Sequence, residues 1–175
     1  LVLTYARYTK SRGILGNITR GLVTLVAFYY GYFAAGQTPS DISFDIILLS
    51  AVFLIHDTSS NLVGAIRDIE GDKQGGYSTI PVKIGIPASF TLALLLSIIY
   101  YSFVIYIATQ SNLIIYSTRF IIVFLLAIII LAIMYLSMFT SLPQISREKA
   151  LRAHEYYIAE RITLASAFII GIVSI

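Results

Sequence analysis

The stretch FDIILLSAVFLIHDTSSNLVGAIRDIEGD, residues 44–72, opens as an apolar run and closes on acids. Residues 44–66 supply the roughly 20 mostly apolar positions that a helix needs to cross about 30 Å of hydrocarbon, where no backbone group can go unpaired. Asp45 sits at one end, and His56 and Asp57 interrupt the interior. The segment reads as a transmembrane helix that reaches water near Arg67.

The remainder of the chain has the same character. With 58% hydrophobic and 12% charged residues and a mean hydropathy of +0.85, it lies outside ordinary globular domains and among polytopic membrane proteins. Residues 88–109 and 120–139 can cross without a charge, 21–37 forms a shorter span, and 158–175 makes a fifth. The expected fold is therefore an all-α, polytopic transmembrane helical bundle, with residues 1–175 as a single membrane domain. Residues 1–5 read as the tail of an earlier helix, so the chain is expected to be the C-terminal part of a larger protein. Zero Cys removes disulfide and thiolate chemistry. No nucleic-acid partner is expected, and the oligomeric state stays open.

Charge placement orients the bundle. Every Lys and Arg except Arg119 falls in three segments: Arg7, Lys10, Arg12 and Arg20; Arg67, Lys73 and Lys83; and Arg147, Lys149, Arg152 and Arg161. Basic residues avoid translocation, which places residues 6–20, 67–87 and 140–157 in the cytoplasm and the protein in the cell membrane. The opposite loops are short and nearly uncharged.

At 100° per residue, Asp57, Asn61, Gly64, Asp68 and Asp72 share an arc of roughly 80° on one helical face. Counting about 1.5 Å per residue, Asp57 lies about 16 Å deeper than Asp68. An ionisable group at that depth is costly unless it meets a wet cavity or a partner. Its simpler reading is a helix-to-helix hydrogen bond, with His56 or Asn61 as polar support. Asp68 and Asp72, at i and i+4, project side by side if the helix persists, and their charges repel. A hard divalent cation such as Mg²⁺ that also takes substrate phosphates relieves that repulsion. Arg67 and Lys73 add positive charge for the same anion, and Gly71, Gly75 and Gly76 permit close backbone approach. Two acids near a helix end are otherwise a solvated cap.

The run NLVGAIRDIEGDKQGGYSTIPVKIG, residues 61–85, resembles the second aspartate-rich motif of the UbiA superfamily of intramembrane prenyltransferases, including the trailing glycine, threonine, proline and glycine. Upstream, YARYTKSRGILGN, residues 5–17, resembles the tyrosine-and-lysine loop of the same family, with Tyr5 and Lys10 as the counterparts. The spacing is one residue longer than the tyrosine-x-x-x-lysine form. The resemblance implies a nine-helix plan of which about five full spans are present, from the end of the fourth helix onward, with the first aspartate motif before Leu1.

It also implies an activity. Family members hold an isoprenoid diphosphate through Mg²⁺ bound by two acidic motifs, ionise it to an allylic cation and alkylate a hydrophobic acceptor inside the bilayer. By this resemblance Asp68 and Asp72 are the metal ligands. Together with Lys10 they are the catalytic set, and Tyr5, Lys10, Asn61, Arg67, Lys73 and Asp57 are the substrate-binding candidates. A quinone-precursor or other aromatic acceptor ranks first and ether-lipid prenyl transfer second.

Competing readings remain. His56 and Asp57 could relay protons in a transporter, which leaves the clustered acids and glycines of residues 67–85 unexplained. Tyr29, Tyr30, Tyr32, Tyr100, Tyr101 and Tyr106 read as helix packing or interfacial anchors. REKALRAHEYYIAER, residues 147–161, reads as an amphipathic cytoplasmic helix entering the last span, with solvated charges and an exposed His154; covering the acceptor site is its functional alternative.

Overall fold

The computed structural model describes residues 8–9, 12–111, 113–114 and 117–173. Among the described residues six α-helices follow in order: α1 (Ile14–Ala34), α2 (Phe44–Arg67), α3 (Ile69–Gln74), α4 (Ile80–Gln110), α5 (Thr118–Phe139) and α6 (Arg147–Val173), with a 3-10 turn at Pro39–Asp41. The described residues contain no strand. The fold is the expected all-α helical bundle. Of the five expected spans, α2, α4 and α5 are long and apolar enough to cross a membrane.

Local chemistry sets the helix ends. The Ser43 hydroxyl accepts from the Ile46 amide at 3.3 Å and caps α2, and Ser117 does the same for α5 through Phe120 at 3.2 Å. Gly13 precedes α1 at φ +60°, a conformation that favours glycine, and a Cβ there would stand 3.2 Å from the Ser78 carbonyl. The continuous helix expected through Asp72 is instead broken at Asp68, whose φ of −96° and ψ of 5° end α2 and open α3. The Asp72 amide still reaches the Asp68 carbonyl at 2.9 Å, so one turn's spacing between the two acids survives the break. A second kink lies within α4 at Gly85 (φ 81°, ψ 170°), just before Pro87; the Ser89 hydroxyl donates to the Gly85 carbonyl at 2.7 Å.

α2 is the hub, packing against α1, α4 and α6, while α5 packs on α6. Lipid is as apolar as leucine, so helices in a bilayer associate through close packing and hydrogen bonds rather than through hydrophobic burial. Accordingly α5 turns Ile122, Leu125, Ile129, Ile133 and Leu136 outward. The α1–α2 contact needs Gly21: a Cβ there would stand 2.6 Å from the Leu54 carbonyl and would also overlap Thr58. Gly21→Val is therefore expected to force the helices apart and lower stability by about 1–3 kcal/mol. Thermal unfolding in detergent reads the shift, and an unchanged melting temperature would show that α1 yields freely.

Two polar rungs join α2 to α6. His56 Nε2 lies 2.6 Å from Glu160 Oε2, and Arg161 Nη2 donates to Asp57 Oδ1 at 2.5 Å. Glu160 is fully buried and also accepts from Tyr101 at 2.7 Å and Tyr100 at 3.3 Å. Beside it Ser97 joins the hydroxyls of Tyr135 and Tyr157, each at 2.8 Å, and Tyr157 donates to Ser59 at 2.9 Å. This corrects the expectation of solvated charges along residues 147–161. Glu148 and Arg152 do pair on the exposed face, but Glu160 turns inward because α2 and α4 present hydrogen-bond donors to it. Tyr100 and Tyr101 pack between helices as expected, with their hydroxyls committed to the same acid.

Candidate active site

The break at Asp68 opens a polar cavity of about 290 Å³ at the meeting of α1, α2, α3, α4 and α6. α1 contributes Asn17 and Arg20, α2 contributes Asn61 and Arg67, and Asp68, Asp72 and Thr79 come from the break, α3 and the residue before α4. His154 of α6 completes the wall. A larger adjoining cavity, about 480 Å³, shares Arg67, Asp68 and Asp72 and adds Glu70, Tyr77 and Arg147.

The two acids differ in environment. Asp72 is buried, whereas the Asp68 side chain is 44% exposed and gripped by its neighbour. Arg67 Nε and Nη2 donate to the two Asp68 oxygens at 2.8 and 2.6 Å. That bidentate fork puts a cation against the carboxylate that a dication would share. Two buried polar atoms in the wall lack hydrogen-bond partners, Asn17 Nδ2 and Thr79 Oγ1. Buried donors in that state carry a cost of about 1–3 kcal/mol each unless a ligand takes their hydrogens. The wall therefore combines unspent donors with paired hard-oxygen ligands.

Among the described residues no three His, Cys, Asp or Glu side chains converge on a point that could hold a metal. Two carboxylates are enough for Mg²⁺, which binds through one or two protein carboxylates and completes its octahedron with water and substrate phosphate oxygens. The donor set thus fits a shared Mg²⁺–diphosphate site better than an all-protein cage.

Some sequence candidates lie elsewhere. Asp57 sits behind the wall with its side chain 4% exposed, tied to Arg161 and lying 3.3 Å from Arg20 Nε. Of the two readings the sequence offered, an acid facing a cavity or substrate and a helix-to-helix hydrogen bond, the structure agrees with the second, as an ion-pair centre joining α1, α2 and α6. His56 is likewise committed to Glu160. Lys73 is exposed and is not among the residues of the cavity wall. Tyr5 and Lys10 lie outside the described residues. His154, expected to be exposed, is half-buried against Gly64. Burial first, then the Arg67 and Arg161 charges, hold its pKa below the usual histidine value.

Sequence reasoning passed over Asn17, Arg20, Thr79 and His154 as site residues. Two of them carried a signal: Asn17 ends the quoted stretch 5–17, and Thr79 is the threonine of the trailing loop. Arg20 carried none, because it was counted only as a loop charge, and His154 was weighed only as part of a helix that could cover the acceptor site.

The model of the UbiA prenyltransferase family matches residues 1–157. The digeranylgeranylglyceryl phosphate synthase of Methanosphaera stadtmanae is 30% identical over 157 residues, covering 89% of this chain and 53% of that protein. The synthase of the same name from Sulfolobus acidocaldarius is 32% identical over 94 residues, 53% of this chain and 32% of its own. That from Methanothrix thermoacetophila is 34% identical over 99 residues, 57% and 35%. The chain thus spans a third to a half of the length of these relatives. No solved structure matches it significantly.

Proposed function

Because the chain belongs to the UbiA prenyltransferase family, we propose that its polar cavity binds an allylic isoprenoid diphosphate, with Mg²⁺, for prenyl transfer to an ether-lipid glycerol phosphate. The observation that carries this is the convergence of Asp68 and Asp72 with the unpartnered donors of Asn17 and Thr79 on one cavity wall. The names of the relatives favour the ether-lipid acceptor over the aromatic one ranked first from sequence. Three apolar helices together with the family support an integral membrane protein, and the clustering of basic residues in alternate loops favours a cavity that opens to the cytoplasm.

Asp68 and Asp72 would hold Mg²⁺, which offsets the charge that builds on the diphosphate as its bond to carbon breaks. The residues of the wall act on the same charge. Asn17 and Thr79 donate to diphosphate oxygens, and Arg67, on release from Asp68, supplies a guanidinium fork matched to phosphate. Lys10 adds a further positive charge. The leaving diphosphate keeps the electron pair of the broken C–O bond, the acceptor hydroxyl oxygen bonds to the allylic carbon, and its proton passes to water. Arg147 in the adjoining cavity is the counter-charge for the phosphate of the acceptor. The transport reading rested on His56 and Asp57 as free relay groups, and both are tied in pairs.

The test is a product assay with purified full-length protein, geranylgeranyl diphosphate and Mg²⁺, offering geranylgeranylglyceryl phosphate or 4-hydroxybenzoate. Mass spectrometry should find the doubly prenylated glycerol phosphate. Prenylated benzoate alone would reassign the acceptor, and no product with any acceptor would count against prenyl transfer.

A further inference from the structure

We propose that Arg20 is a diphosphate-binding residue and that buried Asp57 is the positioning residue that aims it; this rests on the diphosphate reading above. Arg20 stands three residues after Asn17 on α1, so the two side chains share a helical face and line the same cavity. Its side chain is 48% exposed although its Nε lies 3.3 Å from an almost fully buried carboxylate. That contact is an ion pair without hydrogen-bond geometry, since Asp57 Oδ2 has no hydrogen-bond partner. A guanidinium attracted through Nε keeps its two terminal amino groups for another ligand, and these form the fork that matches phosphate oxygens.

Asp57 is itself fixed from the far side. Arg161 of α6 donates to Oδ1 at 2.5 Å, so the carboxylate cannot turn wholly toward Arg20. One carboxylate between two guanidinium groups leaves a local excess of positive charge beside the cavity. Arg67 differs, being spent on Asp68. The second, independent sign of a ligand is Asn17 Nδ2, a buried amide donor without a partner in the same wall. An anion between Asn17 and Arg20 satisfies the amide and uses the excess charge. Ordering a long arginine side chain costs rotamer entropy; Asp57 meets part of that cost before the substrate arrives.

The experiment measures binding of inorganic pyrophosphate with Mg²⁺ to the full-length protein by calorimetry, alongside KM and kcat for the allylic diphosphate. Arg20→Gln should weaken pyrophosphate binding about 10- to 100-fold and raise KM by a similar factor, with a smaller change in kcat. Arg20→Lys, which keeps the charge and loses the fork, should fall between. Asp57→Asn should weaken binding severalfold in the natural background and have almost no further effect in Arg20→Gln, because a positioning residue acts through the residue it positions. Arg152→Gln removes an equal charge from the exposed pair with Glu148 and should leave binding within about twofold.

A structural staple joining α1, α2 and α6 would instead lower the melting temperature of the Arg20 variants and leave binding by the folded fraction intact. That result, or unchanged binding in a stable Arg20→Gln or Arg20→Lys protein, overturns the assignment of Arg20. Equal costs of Asp57→Asn in both backgrounds overturn its positioning role. If Asp72→Ala also binds Mg²⁺ and pyrophosphate normally, the diphosphate reading of the cavity fails. If Asp72→Ala loses binding while Arg20→Gln keeps it, only the present inference fails.

Discussion

Replacing Asp72 with alanine in the full-length protein is expected to lower turnover of an allylic diphosphate by about a thousandfold or more, equivalent to at least roughly 4 kcal/mol of transition-state stabilisation. Asp72 is the buried member of the acidic pair, on the turn that continues past the helix break, and it lines both polar cavities. Removing it would leave the proposed Mg²⁺ with a single carboxylate, one already paired with Arg67. Asp68→Ala should have a comparable effect on turnover and one additional sign. It frees Arg67, so binding of pyrophosphate in the absence of metal should strengthen even as metal-dependent turnover falls. Single-turnover release of diphosphate at several Mg²⁺ concentrations separates these effects. Near-normal turnover of either variant would remove that residue from the metal site.

Glu160→Ala should be the most disruptive change away from the cavity, lowering stability by about 3 kcal/mol. Exposed ion pairs contribute little, but Glu160 is fully buried and accepts from His56, Tyr101 and Tyr100 at once. Deleting the carboxylate strands all three donors in a fully buried site. Breaking one member of a buried charged pair costs about 3–5 kcal/mol in soluble proteins, whereas single hydrogen bonds between membrane helices average about 0.6 kcal/mol. Three donors on one acid put the expected loss toward the lower end of the first range. Glu160→Gln, which keeps an acceptor oxygen, should lose less. Chemical denaturation in detergent measures both, and an Ala variant as stable as the parent would show that the three donors find other partners. The activity of each folded molecule should change little, since Glu160 is not part of the cavity wall.

The two variants probe different parts of what the chain encodes. Hydropathy and helical period are properties of neighbours in sequence, and they suffice to place α2, α4 and α5 and to put Asn61, Asp68 and Asp72 on one face. All three do line one cavity. The same period places Asp57 on that face, yet the structure withdraws it behind Arg20. A face also says nothing about what another helix brings to it. His56 and Asp57 meet Glu160 and Arg161, each pair separated by 104 residues, and no periodicity within either segment announces that register.

By itself, then, the amino-acid order determined an all-α membrane bundle and an acidic loop at one mouth, because apolar length and i, i+4 spacing are local quantities. Only the tertiary structure decided that Asp57 is an ion-pair centre rather than a cavity acid, that Asn17 and Thr79 bring unpartnered polar atoms to the same cavity wall as the acids, and that Arg20 lines that wall with them. The physical reason is that a charge or donor in a membrane protein takes its role from the partner it meets across a helix interface, and that partner is chosen by packing.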